Sequence, residues 1–68
     1  MTTADIIEKC RYLQATGYNV SFSVAHGETR VEHRDNESCE LIAGFATRNA
    51  DNSNLLSVIG IYLDSLRK

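Results

Sequence analysis

The sequence predicts a small α+β domain in two layers, and three patterns support that fold class. An amphipathic helical pattern opens the chain, a strand–turn–strand pattern follows it, and a strongly apolar helical pattern ends it. The 68 residues suffice for one domain, residues 1–68, and a composition of 43% hydrophobic and 24% charged residues is typical of a globular protein. A domain of this length buries only roughly 60% of its unfolded surface, so we expect a small core that a partner subunit would help to complete.

The first helix is predicted from Ala4 to Thr16. Thr2 or Thr3 can cap it, and Gly17 follows as a residue suited to a left-handed helix ending. Its buried stripe has helical spacing and consists of Ile6, Cys10 and Leu13.

A β-hairpin is predicted next, because apolar and polar residues alternate on both sides of a turn. Gly27 and Glu28 can form a two-residue turn with glycine first, which sets Val24 opposite Val31 and Phe22 opposite His33. One face then carries Val20, Phe22, Val24, Val31, His26 and His33. The other face carries Ser21, Ser23, Arg30, Glu32 and Arg34.

The segment from Asn36 to Asn49 allows two interpretations, with residues 38–48 as either helix or strand. As a helix it has Glu37 and Glu40 in the first turn and Arg48 in the last, which suits the helix dipole. As a strand it extends the apolar face of the hairpin through Cys39, Leu41, Ala43 and Phe45. Because the end charges favour the helix, the predicted order is helix–β-hairpin–helix–helix, and the alternative is a helix, a three-stranded antiparallel meander and a helix.

The final helix, capped by Asp51 or Ser53, has more apolar surface than a small domain needs. Its central stripe consists of Leu55, Ile59, Tyr62 and Leu66, with Leu56 and Leu63 beside it. Val58 and Ile61 fall on the other flank, so the apolar arc spans roughly 220°, whereas a surface helix needs only about 100°. Either the helix is covered on all sides within the domain, or part of it packs on another chain.

The charge balance does not favour a protein held to nucleic acid by phosphate contacts. Seven Lys and Arg residues against nine Asp and Glu residues give a net charge of −2. A local basic patch from Arg30 and Arg34 of the hairpin with Lys9 and Arg11 of the first helix remains the alternative. In the three-strand arrangement the element order resembles the double-stranded-RNA-binding domain, but that family has a lysine-rich start to its last helix where this chain has residues 51–54, Asp-Asn-Ser-Asn. We therefore infer neither that family nor its function.

No motif in the sequence indicates catalysis, a metal or a cofactor. Cys10, His26, His33 and Cys39 are separated by 15, 6 and 5 residues, and none of these spacings matches a compact zinc pairing. No nucleophile elbow and no glycine-rich phosphate loop occur. We also see no signal peptide and no apolar run long enough for a membrane span, and we expect a cytoplasmic protein.

The sequence thus predicts a small non-enzymatic interaction module that forms a homodimer and docks on a larger protein. It predicts no membrane association, and nucleic acid is the disfavoured alternative partner. Single-domain chains of this size without catalytic residues suggest a regulator or inhibitor, including the kinds found in phages and mobile elements. The predicted interface residues are Val58, Ile61 and Tyr62, and the predicted polar contacts are Arg30 and Arg34.

Overall fold

The computed structural model describes residues 2–48 and 53–67, which form a helix, three strands and a second helix. In chain order the elements are α1 (Thr3–Ala15), β1 (Asn19–Ala25), β2 (Glu28–Arg34), β3 (Leu41–Thr47) and α2 (Ser53–Leu66). The strands form one antiparallel sheet in the order β1-β2-β3. The predicted α+β class is confirmed, and its helix count is corrected below.

Helix α1 begins with a capping box formed by Thr2 and Asp5. The Asp5 backbone N–H donates to the Thr2 hydroxyl at 3.3 Å, and the Thr2 backbone N–H donates to the Asp5 carboxylate at 2.9 Å. Both partners are thereby satisfied at a helix end that otherwise leaves N–H groups without acceptors. The bonds from Thr2 also hold the pKa of Asp5 below its usual value.

The C-terminal end of α1 is a Schellman motif centred on Gly17. The Tyr18 N–H donates to the Leu13 carbonyl at 3.0 Å, and the Gly17 N–H donates to the Gln14 carbonyl at 3.2 Å. Gly17 has a φ of +100°, which glycine adopts without steric cost. The helix bounds agree with the predicted ones to within one residue at each end.

The hairpin is present, but its predicted register is wrong by two residues. Phe22 pairs with Val31 and Val24 pairs with Thr29, because the two turn residues are His26 and Gly27. Both have positive φ values, 54° and 75°, the backbone signature of the turn that best matches strand twist. His26 therefore lies exposed in the turn and not on the apolar face. The other hairpin residues lie on their predicted faces, because a register shift of two residues, an even number, does not exchange the two faces of a strand.

The predicted third helix is wrong: Leu41–Thr47 form strand β3, as in the alternative arrangement. The polar residues that suggested a helix start form a turn instead. The Asp35 carboxylate accepts from the backbone N–H groups of Glu37 at 3.0 Å and Ser38 at 2.9 Å, and these bonds lower the pKa of Asp35. Strand formation also pairs one edge of β2, which a two-stranded hairpin would leave open.

The core lies between the two helices and one face of the sheet. Its buried hydrophobic side chains come from both helices and the first two strands: Ile6, Cys10, Leu13, Val20, Val31, Leu56, Ile59 and Leu63. Helix α1 contacts β1 and α2, while α2 reaches β2 and β3 through Tyr62, whose ring lies beside His33 and Phe45. The predicted cap of α2 by Asp51 or Ser53 rests on side chains outside the described part of the chain.

Candidate interaction surface

The outer face of α2, defined by Val58 and Ile61, is an exposed apolar surface on a well-packed helix. Val58 is 52% exposed and Ile61 is 70% exposed, whereas Leu56, Ile59 and Leu63 of the same helix are at most 1% exposed. The domain thus completes its core without the two exposed side chains, and they remain available to another molecule.

The position of α1 fixes which flank of α2 is free. Gly60 is buried, and the Asp64 carboxylate meets the Lys9 ammonium of α1 at 2.6 Å. This bond lowers the pKa of Asp64. At about 100° per residue, Val58 lies on the opposite flank of α2 from Gly60 and Asp64, so it faces away from α1. Helical spacing alone places Gly60 in the polar sector of α2, with Ser57, Asp64 and Arg67, but the packing of α1 against that flank buries it.

Tyr62, the third predicted interface residue, makes most of its contacts within the domain. Its hydroxyl is 2.7 Å from His33 Nδ1, and its ring centroid is 5.4 Å from that of Phe45. Burial raises the pKa of the Tyr62 hydroxyl. Tyr62 therefore has less surface left for a partner than Val58 or Ile61, and its main role in the structure is to join α2 to the sheet.

The face of the sheet that the helices leave uncovered carries the two predicted polar contacts, Arg30 and Arg34. Arg30 lies 3.6 Å from the Glu28 carboxylate, and Arg34 lies 3.4 Å from that of Glu32. Arg34 also donates to the Cys39 carbonyl at 3.1 Å, so it supports the loop before β3. The two arginines alternate with carboxylates, and this face is mixed in charge.

The basic residues of α1 do not join the two arginines in one patch. Lys9 and Arg11 belong to the helical layer, on the opposite side of the sheet from Arg30 and Arg34. Lys9 is paired with Asp64 of α2. A continuous phosphate-binding surface built from these four residues is therefore not formed.

A depression of about 350 Å³ lies between the two helices. Its lining is Asp5, Glu8, Lys9, Tyr12 and Arg67. The Arg67 guanidinium carbon lies 4.5 Å from the centroid of the Tyr12 ring, a cation–π geometry that ties the end of α2 to α1. Its cations are thus engaged within the domain, and we assign it no ligand.

The cysteines and histidines do not converge. Cys10 is buried in the core, which raises the pKa of its thiol to about 11, and Cys39 is exposed in the loop before β3 with a φ of 62°. His33 is bound to Tyr62, and His26 lies at the hairpin turn. Within residues 2–48 and 53–67, no three His, Cys, Asp or Glu side chains are grouped closely enough to hold a metal ion.

Sequence reasoning missed a further surface, the free edge of β3. The strand reads LIAGFAT, without charge or proline, and Leu41 and Ile42 are 53% and 56% exposed. Of its seven residues, one, Thr47, is buried. The available signal was the alternation of Ala43 and Phe45, which the end charges of the segment outweighed. The predicted strand face also included Cys39 and Leu41, and this part is wrong: Cys39 precedes β3, and the register shift after His33 places Leu41 beside Gly44 on the open face of the sheet.

Comparison with protein-family models, with curated proteins and with solved structures found no match to this chain. Among the described residues, neither helix has the length and apolarity needed to cross a bilayer.

Proposed function

We propose that the protein is a small non-enzymatic interaction module: a cytoplasmic homodimer that docks on a larger protein and regulates or inhibits it. The observation that supports this function best is the outer face of α2. Exposed aliphatic side chains on one helix face, next to a complete core, are typical of a protein–protein contact.

Self-association is the simplest use of such a face. A core of eight buried side chains gives a 68-residue domain limited stability, of roughly 3–10 kcal/mol. A twofold dimer would bury apolar surface that the monomer leaves in water, and twofold dimers are the commonest oligomers. The stability of the fold and the assembly state would then be linked by mass action.

The open face of the sheet supports the second half of the proposal. In a dimer that uses α2, the face with Arg30 and Arg34 stays accessible to a larger protein. Its mixed charges suit a polar contact that adds specificity more than affinity. Small size without a catalytic constellation fits a regulator or inhibitor, of the phage or mobile-element kind among others.

Light scattering over a concentration series tests the self-association. We expect a dimer for the wild type and a dissociation constant at least about tenfold higher for Ile61→Glu, because a carboxylate must then be desolvated at the interface. Val24→Glu, which changes an aliphatic residue of 57% exposure on β1, is the matched control. A monomeric wild type would refute the dimer. If Ile61→Glu dimerises as tightly as the wild type, the dimer interface does not include this face.

Affinity capture from the native host tests the docking. The bait is the wild-type protein, and the comparison is an Arg30→Glu/Arg34→Glu variant that remains folded and dimeric. A larger protein that the wild type retains and the variant loses would support the open face as the docking surface. Equal retention by both baits would exclude these two arginines as the contact.

Nucleic-acid binding remains the alternative function, and the ion pairs of Arg30, Arg34 and Lys9 do not favour it. Titration with DNA and RNA at low and moderate salt separates the two functions, since phosphate-dominated binding weakens steeply with salt. We expect no binding at low salt. Tight, salt-sensitive binding would replace the proposed function.

A further inference from the structure

The two edges of the sheet differ in how far the chain covers them. The turn residues are His26 and Gly27, so the residues on either side of the turn, Ala25 and Glu28, form a hydrogen-bonded pair. Every second residue of β1 therefore directs its backbone N–H and C=O groups away from β2. Val20 is one of these, and its carbonyl accepts a hydrogen bond from the Gln14 side-chain amide at 2.7 Å. Helix α1 thus satisfies part of the β1 edge.

The β3 edge has no such cover within the described residues. The same alternation makes Thr29, Val31 and His33 the β2 residues that bond to β3, so Gly44 and Ala46 of β3 direct their N–H and C=O groups away from the sheet. Within the ranges 2–48 and 53–67, no side chain or turn is bonded to either residue. Proteins usually protect an edge of this kind with a charge, a proline or a covering segment.

Apolar side chains flank the β3 edge on the helical side of the sheet. The contacts of Tyr62 with His33 and Phe45 place α2 over β2 and β3, and α1 lies over β1. The side of α2 that faces away from α1 is therefore the side nearest the free edge of β3. Val58 lies on this side of the helix. Ile42, in the bulged start of β3, is also exposed, but strand alternation from Ala43 and Phe45 places it on the open face of the sheet and not beside Val58.

We propose that a second copy of this chain pairs with the β3 edge in antiparallel fashion about a twofold axis, giving a continuous six-stranded sheet. This inference rests on the homodimer of the proposed function and names its interface. An uncharged strand is self-complementary under a twofold axis, because pairing it with itself brings no like charges together. Because α2 contacts both β2 and β3, the two α2 axes would lie about two strand spacings apart, on the order of 10 Å, which is a normal helix packing distance. Val58 of each copy would then face the other copy, with Ile61 beside it.

The size of this surface fits a stable dimer. A specific interface buries roughly 600–1,000 Å² on each partner, which is about one seventh to one fifth of the 4513 Å² surface of this chain. A seven-residue strand edge together with one flank of a 14-residue helix is a surface of that order. Pairing would also satisfy the outward backbone groups of Gly44 and Ala46 without any change in the monomer fold.

Proline scanning of the two edges tests the proposal by sedimentation equilibrium. Ala46→Pro removes an outward N–H from the β3 edge and leaves the bonds between β2 and β3 in place. Val24→Pro makes the same change at the β1 edge and is the matched control. We expect the dissociation constant of the dimer to rise at least about tenfold for Ala46→Pro and to stay within about threefold of the wild type for Val24→Pro.

Amide hydrogen exchange of the wild type gives a test that needs no variant. The amides of Gly44 and Ala46 should exchange slowly at concentrations where the dimer forms and quickly on dilution, while the outward amide of Val24 exchanges alike at both. A wild-type dimer that survives Ala46→Pro and shows no concentration-dependent protection at Gly44 and Ala46 would overturn this interface and leave the proposed function intact. A wild type that is monomeric throughout would overturn both.

Discussion

Replacing Tyr62 by phenylalanine separates the contribution of this residue to the domain from any contribution to an interface. The change removes the hydroxyl that lies 2.7 Å from His33 Nδ1 and keeps the ring that packs on Phe45. A net hydrogen bond contributes roughly 0.5–1.5 kcal/mol, and the half-buried imidazole nitrogen left without a partner adds to the loss. We therefore expect the free energy of unfolding to fall by about 1–1.5 kcal/mol.

That loss is large for this domain. For a domain of 60–100 residues each kcal/mol shifts Tm by roughly 4–8 °C, so Tyr62→Phe should melt about 4–12 °C below the wild type. Calorimetry at a concentration below the dimer dissociation constant is the assay, because association would otherwise add to the apparent stability. Tyr12→Phe is the control: Tyr12 is 48% exposed, and the ring that Arg67 stacks on is retained.

A double-mutant cycle with His33→Ala assigns the loss to the bond itself. We expect a coupling energy of about 1 kcal/mol between Tyr62 and His33. Tyr62→Phe should leave the dimer dissociation constant within about twofold of the wild type, since the hydroxyl points into the domain. A variant as stable as the wild type with zero coupling would refute the bond. Weaker dimerisation at unchanged monomer stability would show that the hydroxyl serves the interface.

Three further predictions follow from the turn, the buried thiol and the carboxylates. His26→Asn should stabilise the domain by about 0.5–1 kcal/mol in urea unfolding, because asparagine tolerates the positive φ of that turn position better than histidine; an unchanged midpoint would contradict this. Burial raises the pKa of Cys10 to about 11, so the thiol ionises first in the unfolded chain and stability should fall as pH rises above about 9, by on the order of 2 kcal/mol at pH 11. Cys10→Ala should remove this loss and leave only the smaller one that the raised pKa of Tyr62 causes at pH 10 and above. The lowered pKa values of Asp5, Asp35 and Asp64 contribute stability that is present above about pH 4 and is lost as pH falls further, and an acid unfolding curve that is flat between pH 4 and pH 2 would contradict it.

Local signals were sufficient for α1. Its cap, its stripe and its glycine ending all lie within one segment, and the residues Thr2, Ile6 and Gly17 each have the role that their chemistry predicts. The hairpin faces were predictable for the same reason, because alternation depends on neighbouring residues alone. The register was not, since it depended on whether His26 would accept a left-handed backbone, and glycine at the adjacent position offered a competing turn.

The outer face of α2 was also visible in the sequence, because helical spacing alone separates Val58 and Ile61 from the central stripe. The sequence could not show which elements pack against each side of α2. Gly60 looked like part of a polar sector until α1 was placed against it, and Tyr62 looked as available as Ile61 until His33 was found beside its hydroxyl. Both facts depend on tertiary packing between elements far apart in the chain.

The failed assignment of β3 has a physical cause that bears on the proposed interface. β1 and β3 are both edge strands with one buried residue each, so the number of neighbours does not explain the difference between them. In β1 the positions on the open face are Ser21 and Ser23, and the alternation of apolar and polar residues is clear. In β3 the corresponding positions are Gly44 and Ala46, so its strand pattern is weak and the end charges of the segment favour a helix. A second copy paired at the free edge would supply a second ladder, so the segment with the weakest strand signal in the monomer would become the centre of the dimer sheet. The same reasoning predicts that β3 amides are the least protected in the sheet at low protein concentration and gain the most protection on association.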